Sequence, residues 1–347
     1  MTKQNRTNYI LAGDIGGTKT SLALYEEEKG PLLPLVETTV KNDTVSGLDE
    51  IITSFLQENN ILPRSACFGV AGPVINNRVR LTNRDWTLDG QQLQQKFDLQ
   101  SVVLINDLVA TAMGAVHLPG SALYTLNGGQ RDPQGSVAVL APGTGLGEAF
   151  LIQSSEGLLP CPSEGGHCLF SPADARQTRL LRFLQQEYSQ VTAEQVCSGS
   201  GLPNLYAFLK TEMTEPPPLA AKMKKGGDEA QIIVDEALEA VGRDAQEKNL
   251  PIETLRLFAA ILASEASNLV LKVLATGGLY IGGGIPPRIL PFLTTENFMA
   301  SFSRGVYRKM LASVPVHIIL EPKTALIGAA AIGISLCAIK RIQGDET

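Results

Sequence analysis

Two stretches of this chain share one pattern, and that pattern narrows the folds open to it. The first runs from Asn8 through Gly13-Asp14-Ile15-Gly16-Gly17-Thr18-Lys19-Thr20 and on from Ser21 to Glu26. The second is Ser136 to Leu140, then Ala141-Pro-Gly143-Thr144-Gly145-Leu-Gly147, then Glu148 to Ile152. Each reads as a strand, a glycine turn with a threonine, and a second strand, and the match implies an internal duplication. Two familiar phosphate loops are excluded. A Walker A loop leads into a helix and needs Gly where Thr18 stands; the dinucleotide fingerprint needs a last glycine where Glu148 stands, followed by a helix. Glycine still lets backbone approach a ligand closely and offer its N–H groups to phosphate oxygens. Thr18 adds a hydroxyl donor, and Asp14 has the chemistry to hold a metal ion or its waters rather than phosphate. Two such hairpins facing each other would grip a polyphosphate from both sides. The competing reading of the first turn is a plain tight hairpin.

A second organising stretch is Ser101 to Leu118. Val102 to Ile105 is a short apolar run suited to a buried strand, and from Leu108 the spacing suits a helix. Asn106 and Asp107 fall at the junction. Open α/β sheets place ligands at such strand-to-helix turns. Aspartate is also a favoured helix cap, so capping alone would account for it.

The remaining elements follow in order. Leu32 to Lys41 reads as a strand, and Gly47 to Asn60 as a helix with Leu48, Ile51, Ile52, Phe55 and Leu56 on one face. Ala66 to Ala71 is a strand, Val79 to Thr82 a short one, and Asp89 to Phe97 a helix. In the second half, Pro172 to Gln190, Leu202 to Lys210, Ala230 to Ala245 and Glu253 to Ala275 read as helices. Leu279 to Ile281 and Val316 to Leu320 read as strands. Gly282-Gly283-Gly284-Ile-Pro286-Pro287 is expected to open a helix, with bare backbone able to accept a flat ring or a phosphate. Thr211 to Asp228, with three consecutive prolines and Lys222, Lys224 and Lys225, reads as a surface connection. Its lysines are either solvated or meet nucleotide phosphates.

Between these lies Ser163-Glu164-Gly165-Gly166-His167. Two glycines permit a tight turn that brings Glu164 and His167 to one point, where they can hydrogen-bond adjacent hydroxyls. Glu194 alone would read as a solvated helix residue.

Composition sets outer bounds. A chain of 347 residues carries a prior of two domains. A net charge of −6 argues against nucleic acid and anionic membranes as partners. No secretory signal is read before the first strand. The apolar stretch from Thr324 to Ile339 is shorter than a bilayer span and reads as a buried helix. Five dispersed cysteines (67, 161, 168, 197 and 337) suit a reducing cytoplasm. Cys161, His167 and Cys168 cluster, but Cys-x6-Cys is not a usual zinc spacing and no fourth ligand lies nearby, so no metal ligand is assigned there.

The ordered set Gly13-Asp-Ile-Gly-Gly-Thr18, Ala71-Gly-Pro-Val74, Ile105-Asn-Asp107, Gly143-Thr-Gly-Leu-Gly147, Ser163-Glu-Gly-Gly-His167, Ser198-Gly-Ser-Gly201 and Gly282-Gly-Gly-Ile-Pro-Pro-Arg288 resembles the bacterial glucokinase family from near residue 8 to near residue 335. The resemblance implies an α/β protein of two ribonuclease-H-like domains, the actin-like ATPase and hexokinase fold, with an active-site cleft between them. The expected domains are 1–115 plus 324–347, small, and 116–323, large. The implied activity is phosphorylation of glucose at its 6-hydroxyl by ATP with Mg2+, in the cytoplasm, by a homodimer.

By the same resemblance, Asp107 is the catalytic base and Asn106 a sugar contact, while Glu164, His167 and Glu194 hold the other hydroxyls. Gly13, Asp14, Ile15, Gly16, Gly17, Thr18, Gly143, Thr144 and Gly145 face the phosphates and magnesium, and Gly283 and Gly284 lie near the adenosine. Ser200 stands where many relatives have Pro, and Thr324-Ala325 replaces a Pro-Gly pair. The cysteine-rich zinc motif of the related repressor and kinase family is missing. Two alternatives remain: a kinase for another hexose or hexosamine, and a non-enzymatic sugar sensor. An intact Asn106-Asp107 with both phosphate turns argues against the sensor.

Overall fold

The computed structural model describes the backbone of residues 8–81, 84–155, 157–242 and 249–344, and the side chains of these except 242 and 337–344. The expected strand end at Thr82 and helix end at Ala245 lie outside the described residues. The chain forms two compact units, Met1–Ala122 with Glu321–Thr347, and Leu123–Leu320.

In the first unit, β1 (Tyr9–Ile15), β2 (Lys19–Glu26) and β3 (Pro34–Lys41) make an antiparallel meander. Helix α1 (Leu48–Asn59) leads to β4 (Ser65–Val70). A small hairpin of β5 (Arg78–Arg80) and β6 (Thr87–Asp89) precedes α2 (Gly90–Lys96), β7 (Ser101–Asn106) and α3 (Asp107–Ala115). The five-stranded sheet runs β3-β2-β1-β4-β7, with β1, β4 and β7 parallel.

Strand alternation sends the buried residues of this sheet to two different helices. Leu11, Ile15, Leu22 and Leu24 pack with Ile51, Ile52 and Phe55 of α1. Ala12, Ala23 and Cys67 pack with Leu326, Ala329 and Ala330 of the C-terminal helix, Thr324–Gly344. On that side, glycines in α3 and in the C-terminal helix let the two helix backbones come close. A Cβ on Gly114 of α3 would lie 1.9 Å from the Thr324 carbonyl oxygen, and one on Gly328 would lie 1.7 Å from that of Ala110. The C-terminal helix therefore fixes where α3 sits.

The second unit repeats the plan. It contains β8 (Leu123–Asn127), β9 (Val137–Pro142), β10 (Leu146–Ser154) and β11 (Gly157–Ser163). Then come α4 (Ala175–Leu184), α5 (Leu202–Leu209), α6 (Pro217–Lys224), α7 (Glu229–Gly242), α8 (Leu250–Val273), β12 (Gly278–Ile281), α9 (Thr295–Phe302), α10 (Arg308–Ser313) and β13 (Val316–Ile319). The sheet runs β11-β10-β9-β12-β13-β8. An antiparallel meander again meets two further strands parallel to its first, so the duplicated hairpins head duplicated sheets. Helix α8 is long and apolar enough to cross a bilayer, but 78% of that stretch is buried within the protein. It is the central core helix of this unit.

Two expectations are corrected. No α-helix opens at Pro286. Pro286 and Pro287 donate no hydrogen bonds, the first turn closes only through Arg288 and Ile289 onto Ile285, and Pro291 interrupts the next, leaving a 3-10 turn at Leu290–Phe292. The connection from Thr211 to Asp228 contains α6, whose start is pre-set by Pro217 and Pro218 and anchored by buried Leu219. Strand β11 went unforeseen because Pro160 and Pro162 sit in it; as an edge strand paired only with β10, it tolerates them.

Replacing Gly328 by Ala should force α3 and the C-terminal helix apart. The expected cost is about 1–3 kcal/mol in urea unfolding, together with a fall in turnover as α3 shifts. Unchanged stability would show that the two backbones are not in contact.

Candidate active site

In the first unit the sheet register brings the named residues level. Asp14 pairs with Gly69, Gly69 with Ile105, and Val70 with Asn106, so the carboxyl ends of β1, β4 and β7 form one edge. Asn106 is the cap of α3: its Oδ1 accepts from the N–H groups of Leu108 (2.9 Å) and Val109 (3.3 Å), and its Nδ2 donates to the Gly72 carbonyl (3.1 Å). Capping by Asn106 leaves Asp107 as the first helical residue, where its Oδ1 accepts from Leu108 N–H at 3.0 Å. The helix N-terminus thus orients this carboxylate and favours its charge. Gly69 leaves room for the first turn of α3, since a Cβ there would crowd the Ala110 Cβ at 3.0 Å.

The first glycine turn is held from behind. Asn42, fully buried, donates from Nδ2 to the Gly16 carbonyl (2.8 Å), accepts from Thr20 Oγ1 (2.8 Å), and donates its own N–H to the Thr18 carbonyl (2.9 Å). Arg84 Nε donates to the Gly17 carbonyl at 2.8 Å, and its Nη1 to the Asn42 carbonyl at 2.8 Å. Thr18 and Lys19 are exposed. Asp14 lies at the sheet edge; burial raises its pKa, and Lys19 works against that rise. Ile15 is core. Gly13 lies inside β1, where a Cβ would strike the Phe68 ring at 2.5 Å, so its glycine is accounted for by packing.

In the second unit four separate stretches are knitted together. The Gly143 and Thr144 carbonyls accept from Gly199 N–H (2.7 Å) and Ser200 N–H (3.1 Å). A proline at position 200 could not make the second bond. Glu194 Oε2 accepts from Leu146 N–H at 2.9 Å, and a Cβ on Gly145 would lie 2.4 Å from that oxygen. Glu194 N–H in turn donates to the Gly166 carbonyl at 2.9 Å, inside the 3-10 turn Gly165–His167 that Glu164 opens. The turn with Thr144, the Glu164–His167 turn, Glu194 and the Ser198–Gly201 segment are therefore one construction. Gly283, at φ 82°, packs against the Pro142 carbonyl, while a Cβ on Gly284 would meet nothing within 4 Å.

Beside this construction lies a cavity of about 720 Å³, lined among others by Gly143, Thr144, Ser200, Gln231, Gly284 and Arg288. Lys222 is not among its lining residues and pairs with Glu236. Arg288 is tied to Asp235 of α7 at 2.9 Å.

A scan against protein-family models finds one described as Glucokinase matching residues 11–335. The glucokinase of Nostoc sp. is 39% identical over 344 residues, covering 95% of this chain and 99% of its own. This chain belongs to the glucokinase family. The glucokinase of Synechocystis sp. is 38% identical over 343 residues, with 92% and 96% covered. Among solved structures, a glucokinase from an Antarctic psychrotroph superposes with a TM-score of 0.81 at 30% identity, covering 94% of this chain and 98% of that one. A glucokinase from Balamuthia mandrillaris in complex with glucose gives 0.76 at 23% identity, covering 94% and 93%, a likeness of fold. The two units are those of the actin-like ATPase and hexokinase fold.

Sequence reasoning missed several residues of this glucokinase-family site. Asn42 and Arg84 carry no motif; only the need to satisfy the turn carbonyls would have pointed to them. Glu148 was noticed only as the residue where a glycine was wanting. It is 2% exposed, and its Oε1 has no hydrogen-bond partner among the described residues. Burial, and then the nearby Glu265 carboxylate, push its pKa up to about 7, with Lys272 opposing. Among the described residues no group of three or more His, Cys, Asp or Glu side chains is placed to hold a metal ion.

Because folded Glu148 holds its proton more tightly than the unfolded chain does, its contribution to stability is present below pH 4.5. That contribution is lost as pH rises to about 7. Glu148→Gln should therefore gain about 2–3 kcal/mol over wild type between about pH 4 and pH 8. Urea unfolding at both pH values checks this; a constant difference would mean that Glu148 is not protonated by folding.

Proposed function

We propose that Asp107 is the catalytic base and that the Glu164–His167 turn with Glu194 holds the sugar. The chain is a glucokinase-family phosphotransferase: it transfers a phosphoryl group from ATP to glucose. The observation that carries the sugar-site assignment is the Leu146–Glu194–Gly166 bond chain, which joins the Thr144 turn and the Glu-Gly-Gly-His turn, and that for Asp107 is its place at the start of α3 behind the Asn106 cap.

Phosphoryl transfer asks little covalent work of a protein; it asks for in-line positioning and neutralised charge. Asp107 orients the 6-hydroxyl and takes its proton as the oxygen attacks the γ-phosphorus, whose bond to the bridging oxygen breaks to release ADP. The helix N-terminus behind it keeps the carboxylate charged until then. Glu164 accepts from, and His167 donates to or accepts from, the remaining hydroxyls. Glu194 commits Oε2 to Leu146 and offers Oε1; Asn106 keeps one Nδ2 hydrogen after bonding Gly72. The N–H groups of Gly17, Thr18, Thr144 and Gly145, in turns whose carbonyls are already bonded, receive phosphate oxygens, while those of Gly16 and Gly143 close the turns onto the Lys19 and Gly145 carbonyls; the 720 Å³ cavity takes the adenosine. Asp14 fits Mg2+: it is a hard oxygen donor whose burial penalises its charge, a penalty a cation relieves. Bound there, Mg2+ would neutralise phosphate charge. We place the reaction in the cytoplasm and expect a homodimer, both by family likeness.

Asp107→Asn should retain glucose binding by calorimetry and lose turnover by at least about a hundredfold. Near-normal turnover would remove Asp107 as the base. Glu164→Gln and His167→Ala should each raise the KM for glucose while leaving that for ATP nearly unchanged, because a site built for hydroxyls loses heavily when a partner goes. A coupled assay of ADP release with glucose, mannose, fructose and N-acetylmannosamine tests the sugar itself; preference for the last would move the substrate to the hexosamines.

A further inference from the structure

Directly beneath the Glu164–His167 turn lies a buried acidic pair that the reaction does not use. Glu148 of β10 pairs in register with Ser163 of β11, the residue before Glu164. A Cβ on Gly165 would fall 1.9 Å from Glu148 Oε2 and 2.6 Å from its carboxyl carbon, so the turn's backbone rests on that carboxyl group. The groups facing Glu148 come from two other elements. From α8 there are Glu265, 6% exposed, and Lys272; from the segment before α5 there is Cys197, fully buried. Ser163 Oγ accepts from Gly165 N–H at 3.0 Å. Lys272 lies 3.8 Å from Glu265 Oε1, and Asn268 Nδ2 donates to Glu265 Oε2 at 3.0 Å, so the available positive charge goes first to Glu265.

We infer that Glu148 is a positioning residue for the sugar: its neutral carboxyl group, packed under Gly165, seats the Glu164–His167 turn, and ionisation of that group unseats it. The inference rests on the reading that Glu164 and His167 bind the sugar. One ammonium cannot balance two buried carboxylates, so one of the pair keeps its proton. Burial and Glu265 make Glu148 that one. An ionised Glu148 needs water around it. The backbone over Oε2 is that of Gly165, so admitting water there lifts the turn that carries Glu164 and His167. Cys197 does not compete for the charge, because burial, followed by Glu265 and Glu148, raises its thiol well above the ordinary range.

The test measures KM for glucose and for ATP across about pH 6.5 to 8.5 in wild type, Glu148→Gln and Glu265→Gln. In wild type the KM for glucose should rise at least about fivefold over that range, since the neutral fraction of a group near pH 7 falls about tenfold per unit above it. The KM for ATP should stay flat. Glutamine mimics the neutral acid, so Glu148→Gln should hold the low-pH KM throughout. Glu265→Gln removes the like charge and should move the rise to lower pH. A flat wild-type profile, or a rise that Glu148→Gln retains, overturns the inference. If Glu164→Gln and His167→Ala weaken glucose binding while these profiles are flat, the sugar site stands and the role of Glu148 falls. If those two variants bind glucose normally, the sugar site itself is wrong.

Discussion

A glycine turn can offer its N–H groups to an anion only if its carbonyl groups are satisfied elsewhere, since an unpaired carbonyl beside a phosphate would repel it. Both turns solve this with neighbouring segments of their own unit. In the first, the carbonyls of Gly16, Gly17 and Thr18 accept from Asn42 Nδ2, Arg84 Nε and Asn42 N–H. In the second, those of Gly143, Thr144 and Gly145 accept from Gly199, Ser200 and Gly143 N–H. The partners differ in kind: two side-chain donors and one backbone N–H in the first copy, backbone N–H groups alone in the second.

Close backbone approach plays the matching role for Asp107. Its position depends on Gly69 below it and on Gly114 and Gly328, which let the C-terminal helix press on α3. The Asn106 cap and the glycines that admit these close approaches together set where Asp107 lies, so the aspartate at the junction depends on residues as far along the chain as Gly328.

The parts of this protein that were legible in its sequence are those where periodicity or a glycine turn has one physical reading. The β1–β2 and β9–β10 hairpins, the β7–α3 junction and the Glu-Gly-Gly-His turn all lie where the residues imply. What was not legible depends on tertiary partners. Prolines hid β11, because only its edge position excuses them. Pro286 and Pro287 suggested a helix start, but a third proline at 291 removes the next donor. Asn106 and Asp107 are both good caps by propensity, and only the hydrogen bonds assign the cap to Asn106 and the first helical position to Asp107. Gly13, grouped with the phosphate turn by its motif, is explained by the Phe68 ring instead.

The two halves also show how a duplicated hairpin acquires different chemistry. Asp14 faces Ser21 across the first hairpin; Ala141 faces Gly147 at the corresponding place in the second. One step further from the turn, Gly13 faces Leu22 in the first and Leu140 faces Glu148 in the second. Near its turn, each hairpin therefore carries one carboxyl group, on opposite strands and opposite faces. At Asp14 the acid lies on the edge shared with Asn106, where a cation can offset its charge. At Glu148 the acid takes the site of an apolar core residue, under a turn of two glycines and opposite a second acid. Desolvation acts on both, but only the first has access to a counterion from solvent. On the proposed reading an acidic side chain serves as a cation ligand in one copy and holds a proton in the other, and the face of the strand it occupies decides which.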